Sequence, residues 1–199
     1  GMICVDLFSG CGGFSLGALE TGGYYNETRF GLPRQKQTAG YMKFRVIDGF
    51  QTGVNYLRKS DQAESEIITF RSLATPWKSN DLDVELGAAT KDSRRSTAYA
   101  IRFSGNERWI AYDLRYVQAG ADFPGYYRDL NFGSAGVNVH LGKNLRFETY
   151  YRNERRNLSQ DTNLVYAPRD SYYQFGMGYS NFATLYYRVN SQEDLLPNS

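Results

Sequence analysis

From Gly40 onward, apolar and polar residues alternate with a period of two, the repeat of strands whose two faces meet unlike surroundings. In Ile110–Tyr116 one face carries Ile110, Tyr112, Leu114 and Tyr116, while Ala111, Asp113 and Arg115 take the other. Leu145–Arg152 repeats the arrangement, with Leu145, Phe147 and Tyr151 set against Arg146, Glu148 and Arg152. Similar runs occur at Leu82–Leu86, Thr97–Phe103, Val137–Leu141 and Tyr173–Tyr179. The pattern predicts strands over 40–47, 49–58, 66–74, 82–90, 95–103, 108–118, 131–141, 144–153, 172–179 and 182–189, and it carries no helical period. The expected fold class is all-β, an antiparallel up-and-down meander or barrel of about ten strands, with a short βα-like segment at the N-terminus.

The connections between these strands tend to alternate in length. Short ones fall at Ile47-Asp48-Gly49, Ser104–Glu107, Gly142-Lys143-Asn144 and Ser180-Asn181, with Thr75-Pro76-Trp77 somewhat longer. Their Gly, Asn and Asp residues accept the positive φ of hairpin turns. Longer connections are expected over 59–65, 91–94, 120–130 and 153–171. In this texture, residues 40–195 resemble the bacterial outer-membrane barrel proteins, whose turns are short at one end and whose loops are long at the other. Strands of about nine to eleven residues also suffice to cross a bilayer at a tilt.

That resemblance is architectural. It implies a lipid bilayer as partner, the bacterial outer membrane as location, and a non-enzymatic role as scaffold, pore or docking surface. Under it the apolar band faces lipid, while Asp83, Glu85, Arg102, Asp113, Arg115, Arg146, Glu148 and Arg152 face a lumen. A soluble β-barrel or sandwich binding module has the same alternation with inside and outside exchanged, and periodicity does not separate the two. The loop residues Asp122, Arg128 and Asp129, beside Tyr126 and Tyr127, are candidates for contact with an unknown small ligand or protein partner.

Residues 1–28 differ from the rest: they hold Cys4 and Cys11 and no Lys or Arg. Met2–Leu7 reads as a short strand, and the glycines at 10, 12 and 13 form a turn leading into a helix, whose N-terminus would offer free N–H groups. The stretch Asp6-Leu-Phe-Ser-Gly-Cys-Gly-Gly-Phe14 resembles the first motif of the DNA cytosine-5 methyltransferases, over residues 2–23. The resemblance implies that Phe8, Gly10 and Gly12 contact S-adenosylmethionine and that Asp6 holds the turn after the strand. The rest of the family pattern is missing: the cysteines follow Ile3 and Gly10, so no Pro-Cys nucleophile is present, and there is no Glu-Asn-Val element. A fragment of such an enzyme, cytoplasmic and with S-adenosylmethionine as cofactor, is the alternative reading.

Composition narrows the chemistry further. Among 199 residues there are 17 Tyr and 20 Gly but 1 His and 2 Cys, too few for a His-based acid–base pair or a zinc cluster. No catalytic residue and no metal site is expected, His140 included. The balance of 23 Lys and Arg against 21 Asp and Glu lacks the basic excess of a nucleic-acid partner, and none is expected. The domain reading is therefore a Gly-rich segment over 1–28, a linker or partial strand over 29–39, the barrel over 40–189 and a polar tail over 190–199.

Overall fold

Each alternating run becomes one strand of a ladder. The structure, a computed structural model, describes residues 36–60, 64–125, 127–164, 166–180 and 182–196. Within them are ten strands: β1 Lys36–Ile47, β2 Phe50–Ser60, β3 Glu64–Ala74, β4 Asn80–Lys91, β5 Arg94–Asn106, β6 Ile110–Ala119, β7 Leu130–Leu141, β8 Leu145–Arg156, β9 Pro168–Tyr179 and β10 Ala183–Asp194. They form a single antiparallel sheet in sequence order, β1 through β10, with no helix among the described residues. The all-β meander expected from periodicity is the fold. The positions 2–23, with Asp6, Phe8, Gly10 and Gly12, lie outside the described residues.

Most strands run further toward the longer loops than hydrophobic alternation suggests. β1 begins at Lys36, inside the expected linker, and β10 continues to Asp194, inside the expected polar tail. The reason is that backbone ladders persist where both side-chain faces have turned polar. Asn153↔Ser171, Glu154↔Asp170 and Arg155↔Arg169 pair β8 with β9, and Ser191↔Ser171 through Asp194↔Pro168 pair β10 with β9. Asp194 fastens the last rung by accepting from the backbone N–H groups of Ala167 (2.9 Å) and Leu196 (3.1 Å). Those donors, Ala167 first, hold its carboxyl below the usual carboxylate range.

The connection expected over 91–94 is in fact tight: Asp92 and Ser93, at φ 48° and 66°, join β4 to β5 directly. Two consecutive residues at positive φ are what a type I′ hairpin requires. The loops that remain long at this end are 120–129 and 157–167. At the opposite end Gly49 (φ 77°) and Gly142 (φ 65°) make their turns.

Register sorts every strand into two faces. One carries Met42, Phe44, Val54, Ile68, Phe70, Leu86, Ile101, Leu114, Tyr151, Phe175, Met177, Leu185 and Val189, all exposed. The other carries most of the charged residues of the strand middles, Asp83, Arg102, Asp113, Arg115 and Glu148 among them, and also the buried cluster of Ile67, Ala89, Ala98, Val117, Ala119 and Phe123. The sheet is staggered as well: the row of partners starting at Ile47, the turn end of β1, passes through Ala74, Phe103, Ala135 and Tyr173 to Val189, well inside β10. Stagger of this kind accompanies the strand tilt of barrels.

Candidate functional site: the charged face and the loop across it

Because side chains alternate, residues of like parity in register share a face. Asp83↔Arg102↔Arg115↔Ser134↔Arg152 is one row of partners, and Glu85, Asp113, Arg146 and Glu148 share its parity on their strands. All eight sequence-selected charges therefore lie on one face. They form pairs rather than one converging cluster. Arg71 holds Asp83 with two parallel hydrogen bonds, Nε to Oδ1 at 2.9 Å and Nη2 to Oδ2 at 2.8 Å. Arg102 donates to Asp113 Oδ2 through Nε at 2.8 Å. Glu148 accepts from Gln174 at 3.0 Å and lies 3.8 Å from Arg146. Arg152 and Arg156 clamp the buried Glu154 at 2.5 and 2.6 Å.

Four of these partners, Arg71, Glu154, Arg156 and Gln174, are not among the residues expected from the sequence, and Arg71 and Glu154 matter most. Parity would have found both, since Arg71 stands opposite Glu85 and Glu154 opposite Phe132. Fork-to-carboxylate bonds of this kind fix orientation as well as adding charge-assisted strength. They line two open cavities of about 490 Å³ each, one beside Gly49, Gln51, Arg71, Asp83, Arg102 and Ser104, the other beside Arg115, Tyr127, Phe132, Arg152, Glu154 and Arg156.

Between the cavities and the long-loop end, residues 120–125 and 127–129 fold back across the face. Phe123 is fully buried against Ile67, Ala89, Ala98, Val117 and Ala119. Gly87 makes this approach possible, since a Cβ there would stand 3.1 Å from the ring. Lys59 on β2 donates to the Pro124 carbonyl at 3.3 Å, and Arg115 donates to the Tyr127 hydroxyl at 2.7 Å with its guanidinium 5.6 Å from the Phe132 ring centre. The loop candidates each have separate structural partners. Asp122 lies 3.7 Å from Arg94, Arg128 donates to the Ala121 carbonyl at 2.6 Å, and Asp129 accepts from the Ser159 hydroxyl at 2.6 Å. Tyr126 lies outside the described residues. The apolar anchor Phe123 was missed because periodicity has no voice in a loop; its one signal is an aromatic residue flanked by Gly120 and Pro124-Gly125.

On the opposite face the apolar rows end together. Toward the long loops they give way to Thr38, Arg58, Glu66, Thr90 and Arg95, linked in register, and to Gln118, Asn131, Arg155, Arg169 and Glu193, linked likewise. Just below this polar collar stand Tyr56, Tyr116, Tyr151 and Tyr173 on the same face. Near the turns Trp77, exposed, packs on Phe103, with ring centres 6.3 Å apart, and Trp109 is exposed too. His140 sits on the charged face opposite Arg146, and no group of three or more His, Cys, Asp or Glu able to hold a metal occurs among the described residues.

The fold and its faces define a class, a ten-stranded antiparallel meander with one apolar and one charged side. No protein-family profile matches the chain, and no curated protein matches it. Among solved structures, a chain described under "Unveiling the Mechanism Behind the in-meso Crystallization of Membrane Proteins" is similar with a TM-score of 0.35 and 8% identity, over 82% of this chain and 78% of that one. Likeness at that level bears no functional argument.

Proposed function

We propose that this chain is a non-enzymatic outer-membrane β-barrel, or part of one, that meets lipid with its apolar face and water with its charged face. The observation that carries the reading is which face the chain covers for itself. The loop 120–129 and the buried cluster lie on the charged side, whereas the exposed apolar side receives no covering segment among the described residues. A soluble sheet needs the reverse, since its apolar face must be buried against a second layer. A bilayer supplies that layer, and a polar collar with aromatic residues below it matches the interfaces of such barrels.

On this reading Asp83, Glu85, Arg102, Asp113, Arg115, Arg146, Glu148 and Arg152 line a wet interior that serves as pore, scaffold or docking surface. Their cross-strand pairing stiffens the wall and sets its field. No cofactor is required. The alternative of a S-adenosylmethionine cradle rests on Asp6, Phe8, Gly10 and Gly12, and the charged face offers it no support.

The deciding experiment refolds the chain in buffer and in detergent micelles and compares Leu114→Arg with Asp113→Asn by heat-modifiable migration on gels. Leu114 is on the apolar face, where an Arg at mid-bilayer costs about 2–4 kcal/mol, so that variant should fail to assemble. Asp113→Asn should assemble normally. Cooperative folding in plain buffer, with Asp113→Asn the more damaging change, would defeat the proposal.

A further inference from the structure

The polar collar is uneven, and one corner of it has the chemistry of a phosphate site. Arg155 on β8 and Arg169 on β9 are direct register partners on the apolar-facing side of the sheet. Side chains directly opposite have Cβ atoms about 5 Å apart, and like charges placed so repel. One neighbouring carboxylate, Glu193, relieves Arg169 alone. The Arg155 side chain makes no hydrogen bond or ion pair with any described residue. Arg169 reaches only Glu193, at 3.6 Å, and its Nε has no hydrogen-bond partner. The other acids of this corner, Glu154 and Asp170, are partners of each other on the opposite face.

Below the pair the rungs grade in polarity. Asn153 and Ser171 come next, joined by a 3.0 Å hydrogen bond, then Tyr151 and Tyr173, then Thr149 and Phe175, then Phe147 and Met177. Arg155 stands four residues from Tyr151, about 13 Å along the strand and about 10 Å in height at a barrel tilt. With the hydrocarbon ending at the Asn153–Ser171 rung, two residues and about 5 Å in height below the pair, the two guanidiniums stand within the polar layer, about 5–7 Å thick on each side, that holds the lipid phosphates. Two guanidiniums on directly opposed residues suit a tetrahedral phosphate, because each offers paired N–H donors.

We infer that Arg155 and Arg169 together bind the phosphate of an anionic lipid headgroup in the leaflet at the long-loop end. The inference rests on the membrane reading above and adds a ligand to it. The bound phosphate bridges the two cations. Arg95, also on the collar but opposite Thr90, lacks a second cation across from it and forms no such site.

The test uses the full chain folded into phosphatidylcholine vesicles with and without phosphatidylglycerol, with heat-modifiable migration reporting folding and native mass spectrometry reporting retained lipid. The wild-type chain should retain phosphatidylglycerol over phosphatidylcholine about thirtyfold, the preference that two surface cations provide. Arg155→Gln/Arg169→Gln should fold equally well in phosphatidylcholine and lose that preference, and Arg95→Gln should keep it. If the double variant keeps the preference, or Arg95→Gln loses as much of it, the inference is overturned. If inorganic phosphate added to phosphatidylcholine samples is retained as strongly as the lipid, the site binds free phosphate and the lipid assignment falls. Folding in both vesicles without any preference sinks this inference alone, whereas failure to fold in either sinks the membrane reading beneath it.

Discussion

Replacing Phe123 by Ala tests the loop that crosses the charged face. The ring is fully buried against Ile67, Ala89, Ala98, Val117 and Ala119. Burying about 150 Å² of aromatic surface at ~25 cal/mol/Å² is worth ~4 kcal/mol, and the methyl left by Ala keeps part of it, so ~3 kcal/mol should be lost. The loss should appear locally. The sheet beneath is held by its own ladders, while the loop is otherwise tied mainly by hydrogen bonds such as Lys59 to Pro124, Asp129 to Ser159 and Tyr127 to Arg115. Ordering a chain segment costs about 1–2 kcal/mol per residue, so a loop deprived of its anchor is released before the strands are. Amide hydrogen exchange of 120–129 in detergent should therefore accelerate about 100-fold, with β4, β5 and β6 nearly unchanged. An acceleration below about threefold would refute the anchor; uniform loss of protection across the sheet would refute its local character.

Other outcomes follow from individual contacts. Arg71→Ala leaves the mostly buried Asp83 without its fork and should cost about 1–2 kcal/mol, and a double-mutant cycle with Asp83→Asn should recover most of that as coupling; near-zero coupling would mean the pair is incidental. Ser93→Gly should stabilise the β4–β5 hairpin by about 1 kcal/mol in thermal melts, since Gly takes the left-handed conformation without the Cβ clash, and destabilisation would contradict the turn geometry. Asp194 has its folded pKa depressed by N–H donors, so its stabilising effect is complete above the unfolded carboxylate value and is lost as pH falls through the lower folded value. Exchange protection at Ala167 and Leu196 should persist just below the usual carboxylate range and disappear on further acidification; protection indifferent to pH, or an Asp194→Ala variant with the same profile, would remove Asp194 from the clasp.

Strand number and the sharing of faces are legible in the sequence because both depend on parity. Once Ile110, Tyr112 and Leu114 are assigned to one side, Asp113 and Arg115 have no choice but the other, and hairpin pairing carries that choice to the next strand. Strand ends are another matter. Asn153–Arg156 and Pro168–Ser171 read as loop because neither face is apolar, yet their backbone groups complete the ladder. The turn at Asp92-Ser93 was hidden for the same reason, since Lys91, Arg94 and Arg95 on either side look solvated. Pairing within the charged face was only half legible. Parity puts Arg71 and Asp83 on one side, but which guanidinium meets which carboxylate depends on register between strands, and Asp83 has Arg102 directly opposite while bonding the diagonal Arg71.

The mean hydropathy of −0.56 and the absence of a long apolar run would dismiss a membrane role for a helical protein. A helix must bury its whole circumference in lipid, so its composition is apolar throughout. A strand exposes only alternate residues, and every charge it carries can be placed on the other side at no cost to the lipid face. Here β8 does so along Leu145, Arg146, Phe147, Glu148, Thr149, Tyr150, Tyr151 and Arg152: the odd positions contain no charge and the even ones contain three. Average hydropathy discards that phase, and only the phase distinguishes a polar protein from a two-faced one. On β8 and β9 charges enter the apolar side only beyond the rung of Asn153 and Ser171, where Arg155 and Arg169 appear together. On the proposed membrane reading, their exclusion below that rung and their coincidence above it have one physical cause, the edge of the hydrocarbon.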